Sequence, residues 1–595
     1  MKTFLKIVFG SCLGVIIASI VMFLIFFAIG SSLSASFTGG SETSIESKSI
    51  LKLDFSELTP DKTNNVASSP FSLENKNIVG LIDATKLIRH AATDKNISGI
   101  YIKPGHGVNL GMSGIKDISS AIQDFKKSGK FVYAYGESLS QGGYYLSSNA
   151  DKIFLNPMGD ISWQGMGTMI MYFKNLMDKL DIKMDVFYVG KFKSATEPFR
   201  ADKMSDANRL QLKTFINDYY NQIVNEVAKN RKLDPATLKQ LANTLAIQTP
   251  EDALQHKFID QIAYEDEVLK EMKGKLKIAE KDKLNIISLN KYYDATTLDK
   301  NYSADKKIAV VYAEGEINDA DENAGVIGSK SYVSILRKLR YDEDIKAVVL
   351  RVNSPGGSAY GSEQIWHEVE MLKKSGKKVI VSMGDLAASG GYYISCNADK
   401  IYASPATITG SIGVFGMIPD MSGFFKNKLY ITADSVKTGP NALPINTIIP
   451  MTADQRNSVQ KMVENTYAQF VNRVASGRHL PVSVVDSLAQ GRIYSGKAAI
   501  DIKLVDQLGN LDDAITRAAT MAGLKDYRLV NYPETPSPLV RFIDEITGKD
   551  KDKSMVKSAV DNELKALVPE YVEAKAILNN NRIQTRLPFV LRTEM

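Results

Sequence analysis

Ser389 stands in a setting that is typical of nucleophilic serines. It belongs to the run Ala-Ala-Ser-Gly-Gly-Tyr-Tyr at residues 387–393, where an apolar strand pattern changes into a helical one. Glycines at such a turn let other backbone approach closely and leave the hydroxyl exposed to a substrate. The same small residues could simply allow a helix to pack closely on a strand. The motif alone therefore leaves both interpretations open.

A second glycine-rich turn could supply the complementary chemistry. Gly356 and Gly357 follow a predicted strand at residues 347–352, in the run Arg-Val-Asn-Ser-Pro-Gly-Gly-Ser. Backbone N–H groups from this loop and from Gly390 could form an oxyanion hole, which stabilises the charge that develops on an attacked carbonyl. An ordinary Pro-Gly turn is the alternative interpretation.

The identity of the general base is less obvious, because no histidine is adjacent to either motif. The chain has five histidines, with no pair at a spacing of three or four residues, and two cysteines, Cys12 and Cys396. These residues predict no metal site, no cofactor and no disulfide framework. A lysine can act as a base if burial lowers its pKa from about 10.4 towards neutrality.

An internal repeat indicates which lysine this is. Residues 141–157 and 389–405 are identical at 11 of 17 positions at an offset of 248, and Gln141 occupies the position of Ser389. After Gly190 the first copy carries Lys193, whereas the second copy carries Ala442 at the aligned position. One copy thus has the lysine without the serine, and the other has the serine without the lysine. A site shared between the copies explains both losses.

The elements that must position these residues are predicted to be parallel α/β units. Short β-branched runs at residues 50–53 and 100–102 of the first copy, and at 308–312 and 347–352 of the second, alternate with helical patterns. The second copy also has a capping-box pattern at 452–455 that predicts the start of a long helix, with a counterpart near Ser205. Two copies of this size indicate a tandem duplication rather than a solenoid.

The first thirty residues predict a membrane anchor. Residues 7–30 contain no charged side chain and are long enough to span a bilayer as a helix. Lys2 and Lys6 precede this run, and the next lysine is Lys48, so the N-terminus should be cytoplasmic and the body extracytoplasmic. A cleaved signal peptide is the alternative, although its apolar region would be shorter.

The predicted organisation has five parts. They are the cytoplasmic N-terminus and transmembrane helix at 1–30, a Ser/Thr/Gly-rich linker at 31–48, an N-terminal repeat with the lysine at 49–300, a C-terminal repeat with the serine at 301–535, and a partly helical tail at 536–595.

Composition limits the functional classes further. Of 595 residues, 44% are hydrophobic and 24% are charged, which is typical of folded globular proteins and excludes a polytopic membrane protein. The net charge is only +6, without an Arg-rich segment, so nucleic acid is not an expected partner.

Several motifs together resemble the bacterial signal peptide peptidase A family in its long two-domain form. They are KFKSATEPF at 191–199, NSPGGS at 353–358, AASGGYY at 387–393, ATITGSIGVFG at 406–416 and GRIYSGKAAIDIKLVDQLG at 491–509. The resemblance implies a Clp-protease/crotonase-like α/β fold and a serine peptidase anchored in the bacterial inner membrane. It also implies a homo-oligomer, a tetramer in the long form, that degrades signal peptides left in the bilayer.

The resemblance also assigns roles to individual residues. Ser389 resembles the nucleophile, Lys193 the general base, and Ser411 the serine that orients the base; Gly357 and Gly390 would hold the oxyanion. Asp385 departs from the family pattern, because a small residue is expected there and an acid could perturb the pKa of the lysine. A crotonase-like acyl-CoA enzyme and a non-catalytic membrane-anchored scaffold are the alternative hypotheses.

Overall fold

The computed structural model describes residues 45–534, except 57–58, 66–76, 105–106, 299–303 and 320–324, together with Met22 and residues 584–586. The predicted membrane helix lies outside the described residues apart from Met22. Within the described part of the chain, no helix is both long enough and apolar enough to cross a bilayer.

The first repeat is built on a parallel β-sheet whose central strands, β1 (Ser49–Leu53), β2 (Ile97–Ile102) and β3 (Phe131–Leu139), are largely buried. Burial on both faces explains why these strands appear in the sequence as continuous apolar runs rather than as alternating patterns. The other strands of this half are β4 (Lys152–Ile161), β5 (Lys183–Val189), β6 (Gln261–Ile262) and β7 (Ile286–Ser288). All of the strands except β5 form one sheet in the order β6-β4-β3-β2-β1-β7.

The second repeat forms a corresponding sheet. Its strands are β8 (Lys307–Glu314), β9 (Glu316–Asn318), β10 (Val326–Gly328), β11 (Ile345–Ser354), β12 (Gly356–Ser358), β13 (Lys378–Ala388), β14 (Lys400–Ala403), β15 (Ile408–Gly410), β16 (Val414–Asp420), β17 (Ile493–Ser495), β18 (Gln507–Leu508) and β19 (Arg528–Tyr532). The main sheet has the order β17-β15-β13-β11-β8-β19, with β14 between β13 and β18. Strands β8, β11 and β13 repeat the parallel arrangement of β1, β2 and β3. The predicted duplicated α/β architecture is therefore confirmed.

A third sheet joins the two repeats. Its order is β10-β9-β12-β20-β16-β5, where β20 is Gln584–Arg586. Strand β5 comes from the first repeat and pairs antiparallel with β16 of the second along its whole length, from Val189 opposite Val414 to Lys183 opposite Asp420. Lys193 lies shortly after the end of β5 at Val189, so this pairing places the lysine next to the second repeat.

Helices cover the sheets. They are α1 (Leu81–Thr93), α2 (Met112–Lys126), α3 (Gln141–Ser147), α4 (Lys174–Lys179), α5 (Glu197–Arg200), α6 (Asp206–Arg231), α7 (Pro235–Asn243), α8 (Pro250–Gln255), α9 (Glu265–Leu276), α10 (Leu289–Ala295), α11 (Ser329–Tyr341), α12 (Ala359–Lys374), α13 (Gly390–Ser395), α14 (Ser422–Lys428), α15 (Ala453–Arg478), α16 (Val482–Leu488), α17 (Gly496–Asp501) and α18 (Leu511–Met521). The predicted capping box is present at the start of α15, where the Thr452 hydroxyl accepts from the N–H of Gln455. The predicted counterpart is α6, which Ser205 caps.

A buried ion pair also connects the repeats. The Arg351 guanidinium on β11 donates to the Asp61 carboxylate from Nε (2.9 Å) and from Nη2 (3.3 Å), and both side chains are almost fully buried. Arg351 also donates to the hydroxyl of Ser382 on β13, which is the strand that leads to Ser389. The relative position of the two repeats is thereby tied to the strand that carries the serine.

Candidate active site

Ser389 lies at a sharp turn between a strand and a helix. Strand β13 ends at Ala388 and α13 begins at Gly390, so the serine is the single residue between them. Its φ of 55° and ψ of −114° belong to a region that residues other than glycine rarely adopt, at a cost of about 1–3 kcal/mol. The Ser389 N–H donates to the carbonyl of Gly410, and the Ser389 carbonyl accepts from Tyr393, each at 2.8 Å. These bonds hold the strained turn in place.

Lys193 reaches this serine from the other repeat. The Lys193 Nζ lies 3.0 Å from Ser389 Oγ, within one and the same chain, and the two side chains are fully or almost fully buried. The Phe415 ring on β16 lies 5.9 Å from the same nitrogen and covers it. Lys193, which the second repeat lacks, and Ser389, which the first repeat lacks, are thus within hydrogen-bond distance of each other.

The loop that carries Lys193 is held by both repeats. Gln211 on α6 donates to the carbonyl of Phe192 (3.0 Å), and the Phe192 N–H donates to the carbonyl of Gln490 (2.9 Å). Gly491 approaches so closely that a Cβ there would lie 2.7 Å from the Cβ of Lys193, and its φ is +76°. Only glycine fits at this position without moving the lysine.

Ser411 completes the contacts around the lysine. It follows β15, and its N–H donates to the carbonyl of Arg492 (2.7 Å). Lys193 Nζ donates to Ser411 Oγ at 3.1 Å and lies 3.4 Å from the Ser411 carbonyl oxygen. The structure therefore brings Ser389, Lys193 and Ser411 together.

The electrostatics of the lysine follow from its burial. Loss of hydration disfavours the ammonium and lowers the pKa of Lys193 well below its ordinary value of 10.5. The neutral amine is a base, so burial gives this side chain the property that proton transfer from a serine needs.

The three predicted oxyanion glycines lie on two elements in contact, β12 and the start of α13. Gly356 has a φ of 99° and donates its N–H to the hydroxyl of Ser354 (3.1 Å), so its own donor is engaged within the loop. Gly357 packs against β9, where a Cβ would lie 2.1 Å from the carbonyl oxygen of Ile317. Gly390 occupies the first position of α13, where the helix itself supplies no acceptor for an N–H.

The Asp385 side chain contacts a helix of the first repeat. Its Oδ1 accepts from the N–H groups of Ser113 (2.7 Å) and Gly114 (3.2 Å), at the N-terminus of α2. Burial and the nearby Asp61 carboxylate raise the pKa of Asp385 to about 6. The expected effect of this acid on the lysine is not found, because burial accounts for the lowered pKa of Lys193.

Comparison with known proteins decides the family. The sequence profile described as Peptidase family S49 matches the chain twice, at residues 124–279 and 371–525. This chain belongs to Peptidase family S49.

Relatives of this S49 peptidase cover most of its length. Protease 4 of Salmonella typhi is 35% identical over 554 residues, which are 90% of this chain and 86% of the relative. Protease 4 of Haemophilus influenzae is 34% identical and covers 80% of each chain. The chloroplastic serine protease SPPA of Arabidopsis thaliana is 28% identical, over 81% of this chain and 71% of that protein. The resemblance to the signal peptide peptidase A family is confirmed, and this S49 chain is a serine peptidase.

One solved structure aligns with part of the chain. A ClpP1 point mutant from Listeria monocytogenes aligns with 35% of this chain and 94% of its own, at 14% identity and a TM-score of 0.24. At that score the alignment adds nothing to the fold assignment, which depends on the sheet topology described above.

Some parts of the S49 site were not predicted. Phe415 and Gln211 are ordinary strand and helix residues in the sequence, and nothing in their spacing distinguishes them from core residues. Strand β20 comes from the tail, for which no role was predicted. His367 is exposed on α12.

Proposed function

We propose that this chain is a membrane-anchored serine endopeptidase with a dyad of Ser389 and Lys193. Its proposed substrates are cleaved signal peptides and other extended apolar peptides at the extracytoplasmic face of the bacterial inner membrane. The observation that carries the proposal is the buried 3.0 Å contact between Lys193 Nζ and Ser389 Oγ. A neutral amine at this distance can accept the hydroxyl proton directly.

The first half of the reaction forms an acyl-enzyme. The Lys193 amine donates to Ser411 Oγ, and in its neutral form it carries a lone pair that can accept the proton of the Ser389 hydroxyl 3.0 Å away. As Ser389 Oγ attacks the peptide carbonyl, Lys193 takes its proton. The N–H groups of Gly357 and Gly390 stabilise the oxyanion. The lysine then gives the proton to the leaving amine, and the peptide bond breaks.

The second half releases the product. Water enters beside Lys193, which takes a proton from it as the water oxygen attacks the ester carbonyl. The tetrahedral intermediate collapses, the Ser389 oxygen regains its proton from the lysine, and the carboxylate product leaves. No metal or cofactor is required in this scheme.

The surroundings of β12 and β16 support the choice of apolar substrates. A cavity of about 660 Å³ begins at Ser358 and Ile418, which lie on these two strands, and continues between Tyr393, Val459 and Met462. Such a lining accommodates apolar side chains of a peptide that lies along the strands. Residues 7–30 would hold this cavity near the bilayer, where signal peptides remain after preprotein cleavage.

We further propose that the chain assembles into a homo-oligomer, with four subunits as the family resemblance implies. The support is a pair of segments that lack the strand pairing made by their counterparts. The counterpart of β16 in the first repeat is residues 166–172, and the counterpart of β5 in the second is residues 432–438; neither forms a described strand. Met169 is 87% exposed and Val436 is fully exposed.

The internal β5–β16 pairing predicts how these edges would meet. Gly416 lies opposite Phe187 within the chain. Thr168 is 248 residues before Gly416, and Val436 is 249 residues after Phe187, so Thr168 of one copy would lie opposite Val436 of the next. Such a head-to-tail contact closes into a ring when the rotation between copies allows it.

Peptidase assays on the purified full-length protein test the dyad. Ser389→Ala and Lys193→Met should each lower peptide cleavage by at least about 100-fold, because each removes a partner of the proton transfer. Lys191→Ala, an exposed neighbour, and Gln141→Ala, the first-repeat counterpart of the serine, should cleave at the wild-type rate. A serine-directed fluorophosphonate should label the wild type and not Ser389→Ala. Undiminished cleavage by Ser389→Ala would exclude the mechanism.

A further inference from the structure

The motif that carries Lys193 contains a second ionisable side chain, which the proposed reaction does not use. Glu197 lies four residues after the lysine, at the start of α5, and a short 3-10 turn (Ser194–Thr196) joins the two positions. Glu197 is only 2% exposed. A carboxylate is rarely buried unless other groups in the fold bind it, so its hydrogen bonds indicate what it does there.

Glu197 accepts hydrogen bonds from the N-terminus of the long helix α6. Its Oε2 accepts from Asn208 Nδ2 (3.0 Å) and from the Ser205 N–H (3.3 Å), and its Oε1 accepts from the Ser205 hydroxyl. Arg200 Nη2 lies 4.0 Å from Oε1, at the outer limit of an ion pair. An ionised carboxylate can only accept hydrogen bonds, so the Asn208 amide must turn its Nδ2 towards Glu197 and its Oδ1 away from it.

The orientation of Asn208 fixes the orientation of a second amide. Asn208 Oδ1 accepts from Gln211 Nε2 at 3.1 Å. The same Nε2 donates to the Phe192 carbonyl (3.0 Å), and Gln211 Oε1 accepts from the N–H of Ile493 in the second repeat (3.4 Å). If the Gln211 amide were reversed, oxygen would face the carbonyl and nitrogen would face the N–H, so both contacts with the backbone would be lost. The carboxylate at one end of the network therefore determines the contacts at the other.

These contacts hold Lys193 from both sides. Phe192 and Ser194 are its neighbours in the chain; the network binds the carbonyl of Phe192, and the Ser194 hydroxyl donates to Asn208 Oδ1 at 2.9 Å. Ser194, Asn208 and Gln211 are each no more than 2% exposed. A buried network of this kind is rigid when all its members are bonded. A shift of about 1 Å in a reacting group can lower a rate about 100-fold, so this rigidity matters for a base.

We propose that Glu197 is a positioning residue for the peptidase reaction. It acts through the two amides, which hold Lys193 within reach of Ser389. This inference rests on the proposed function, in which Lys193 takes the serine proton. Glu197 transfers no proton in that reaction; its contribution is a fixed direction of hydrogen bonding.

A pair of substitutions at Glu197 tests this role. Cleavage of a fluorescence-quenched peptide of alternating leucine and alanine is measured with the purified full-length protein. Glu197→Met keeps the length of the side chain but leaves only a weak acceptor, and it should lower kcat at least about tenfold. KM should stay within about twofold, because the base is displaced and the peptide site is not. Glu197→Gln keeps an acceptor for Asn208, so its kcat should remain within about threefold of the wild-type value.

A second substitution and a matched control separate positioning from loss of stability. Gln211→Met removes the last amide of the network and should lower kcat about tenfold with KM unchanged. Glu368→Met removes a buried carboxylate on α12 of the second repeat, which binds Arg337 and Arg340. This control should lower the free energy of unfolding in urea and leave kcat unchanged.

Three results would overturn the inference. They are a wild-type kcat in Glu197→Met or Gln211→Met, an equal loss of kcat in Glu197→Gln and Glu197→Met, and a loss of kcat in Glu368→Met as large as that in Glu197→Met. If Glu197→Met does not fold, Gln211→Met and the control decide the question.

The dyad itself is tested separately by Lys193→Met. If Lys193→Met cleaves peptide at the wild-type rate, the proposed function fails, and this inference fails with it. If Lys193→Met is inactive while Glu197→Met and Glu197→Gln have the same kcat, the dyad stands and only the positioning role of Glu197 is excluded.

Discussion

At the scale of single residues, the proposed chemistry depends on Lys193, a lysine that is buried away from water. The pKa of Lys193 is lowered by burial, and the Phe415 ring is part of the apolar cover. The same shift affects stability: the folded state binds the proton more weakly than the unfolded chain, so the contribution of Lys193 to the free energy of unfolding increases as the pH rises towards 10.5.

This property predicts the pH dependence of cleavage. Only the neutral amine accepts the serine proton, so kcat/KM should rise with pH, with a midpoint well below 10.5. Phe415→Asn should bring polarity and water to the amine, stabilise the ammonium and move the midpoint up by about one pH unit.

Phe415→Leu is the matched control, because leucine keeps the cover apolar. Its midpoint should stay below that of Phe415→Asn. Profiles of kcat/KM from about pH 5 to 10 for the three proteins give the comparison, and coincident profiles for the asparagine and leucine variants would contradict it.

At the scale of elements, the strand that leads to Ser389 is hydrogen-bonded to a helix of the other repeat. Asp385 on β13 lies four residues before Ser389 and caps α2 through two backbone N–H groups. A Cβ on Gly111, just before α2, would lie 2.2 Å from the Asp385 carboxyl carbon, so the helix approaches as closely as glycine permits.

Asp385 should make the stability of the fold depend on pH. Its pKa is about 6 in the folded chain, above the ordinary 3.8, so the folded state binds this proton more tightly. The contribution of the group is therefore greatest below about pH 4 and declines as the pH rises through 6, by roughly 3 kcal/mol in all.

Asp385→Asn should remove this decline while it keeps an oxygen that can accept from α2. Urea unfolding at about pH 4, 5, 6 and 7 measures the difference between wild type and variant. A constant difference across this range would mean that Asp385 does not titrate in the folded protein.

The elements differ in how far the sequence could predict them. The capping box at Thr452 is a local pattern, so the start of α15 was predictable, as were the buried parallel strands. The pairing of β5 with β16 and the insertion of β20 were not, because strand periodicity carries no information about a distant partner. The local motif indicated Ser389, and comparison of the two copies identified Lys193. Phe415 has no comparable signal in the sequence.

At the scale of the whole molecule, the two repeats differ in one strand pairing. Strands β5 and β16 pair with each other, whereas their counterparts at residues 166–172 and 432–438 form no described strand. One β5–β16 pairing is made within the chain, and its counterpart would need a second copy. The exposed side chains of Met169 and Val436 in these segments favour association between copies of the chain, since proteins usually protect unpaired backbone of this kind.

Cysteine cross-linking tests this assembly. In a Cys12→Ser background, Thr168→Cys combined with Val436→Cys should form disulfides between chains on oxidation, producing a ladder of cross-linked species on denaturing gels that ends at four subunits. Thr168→Cys paired with cysteine at the exposed Tyr341 should produce no ladder. Material that remains at the mass of one chain in both variants would exclude the proposed contact.

The division of the proposed dyad between the repeats has a consequence for biosynthesis. A ribosome completes Lys193 long before Ser389, and Lys193 Nζ meets Ser389 Oγ only after β5 has paired with β16 of the later repeat. A chain that ends before β16 therefore cannot bring the two side chains together by this pairing. On the proposed mechanism, the order of translation delays peptidase activity until the second repeat has folded onto the first.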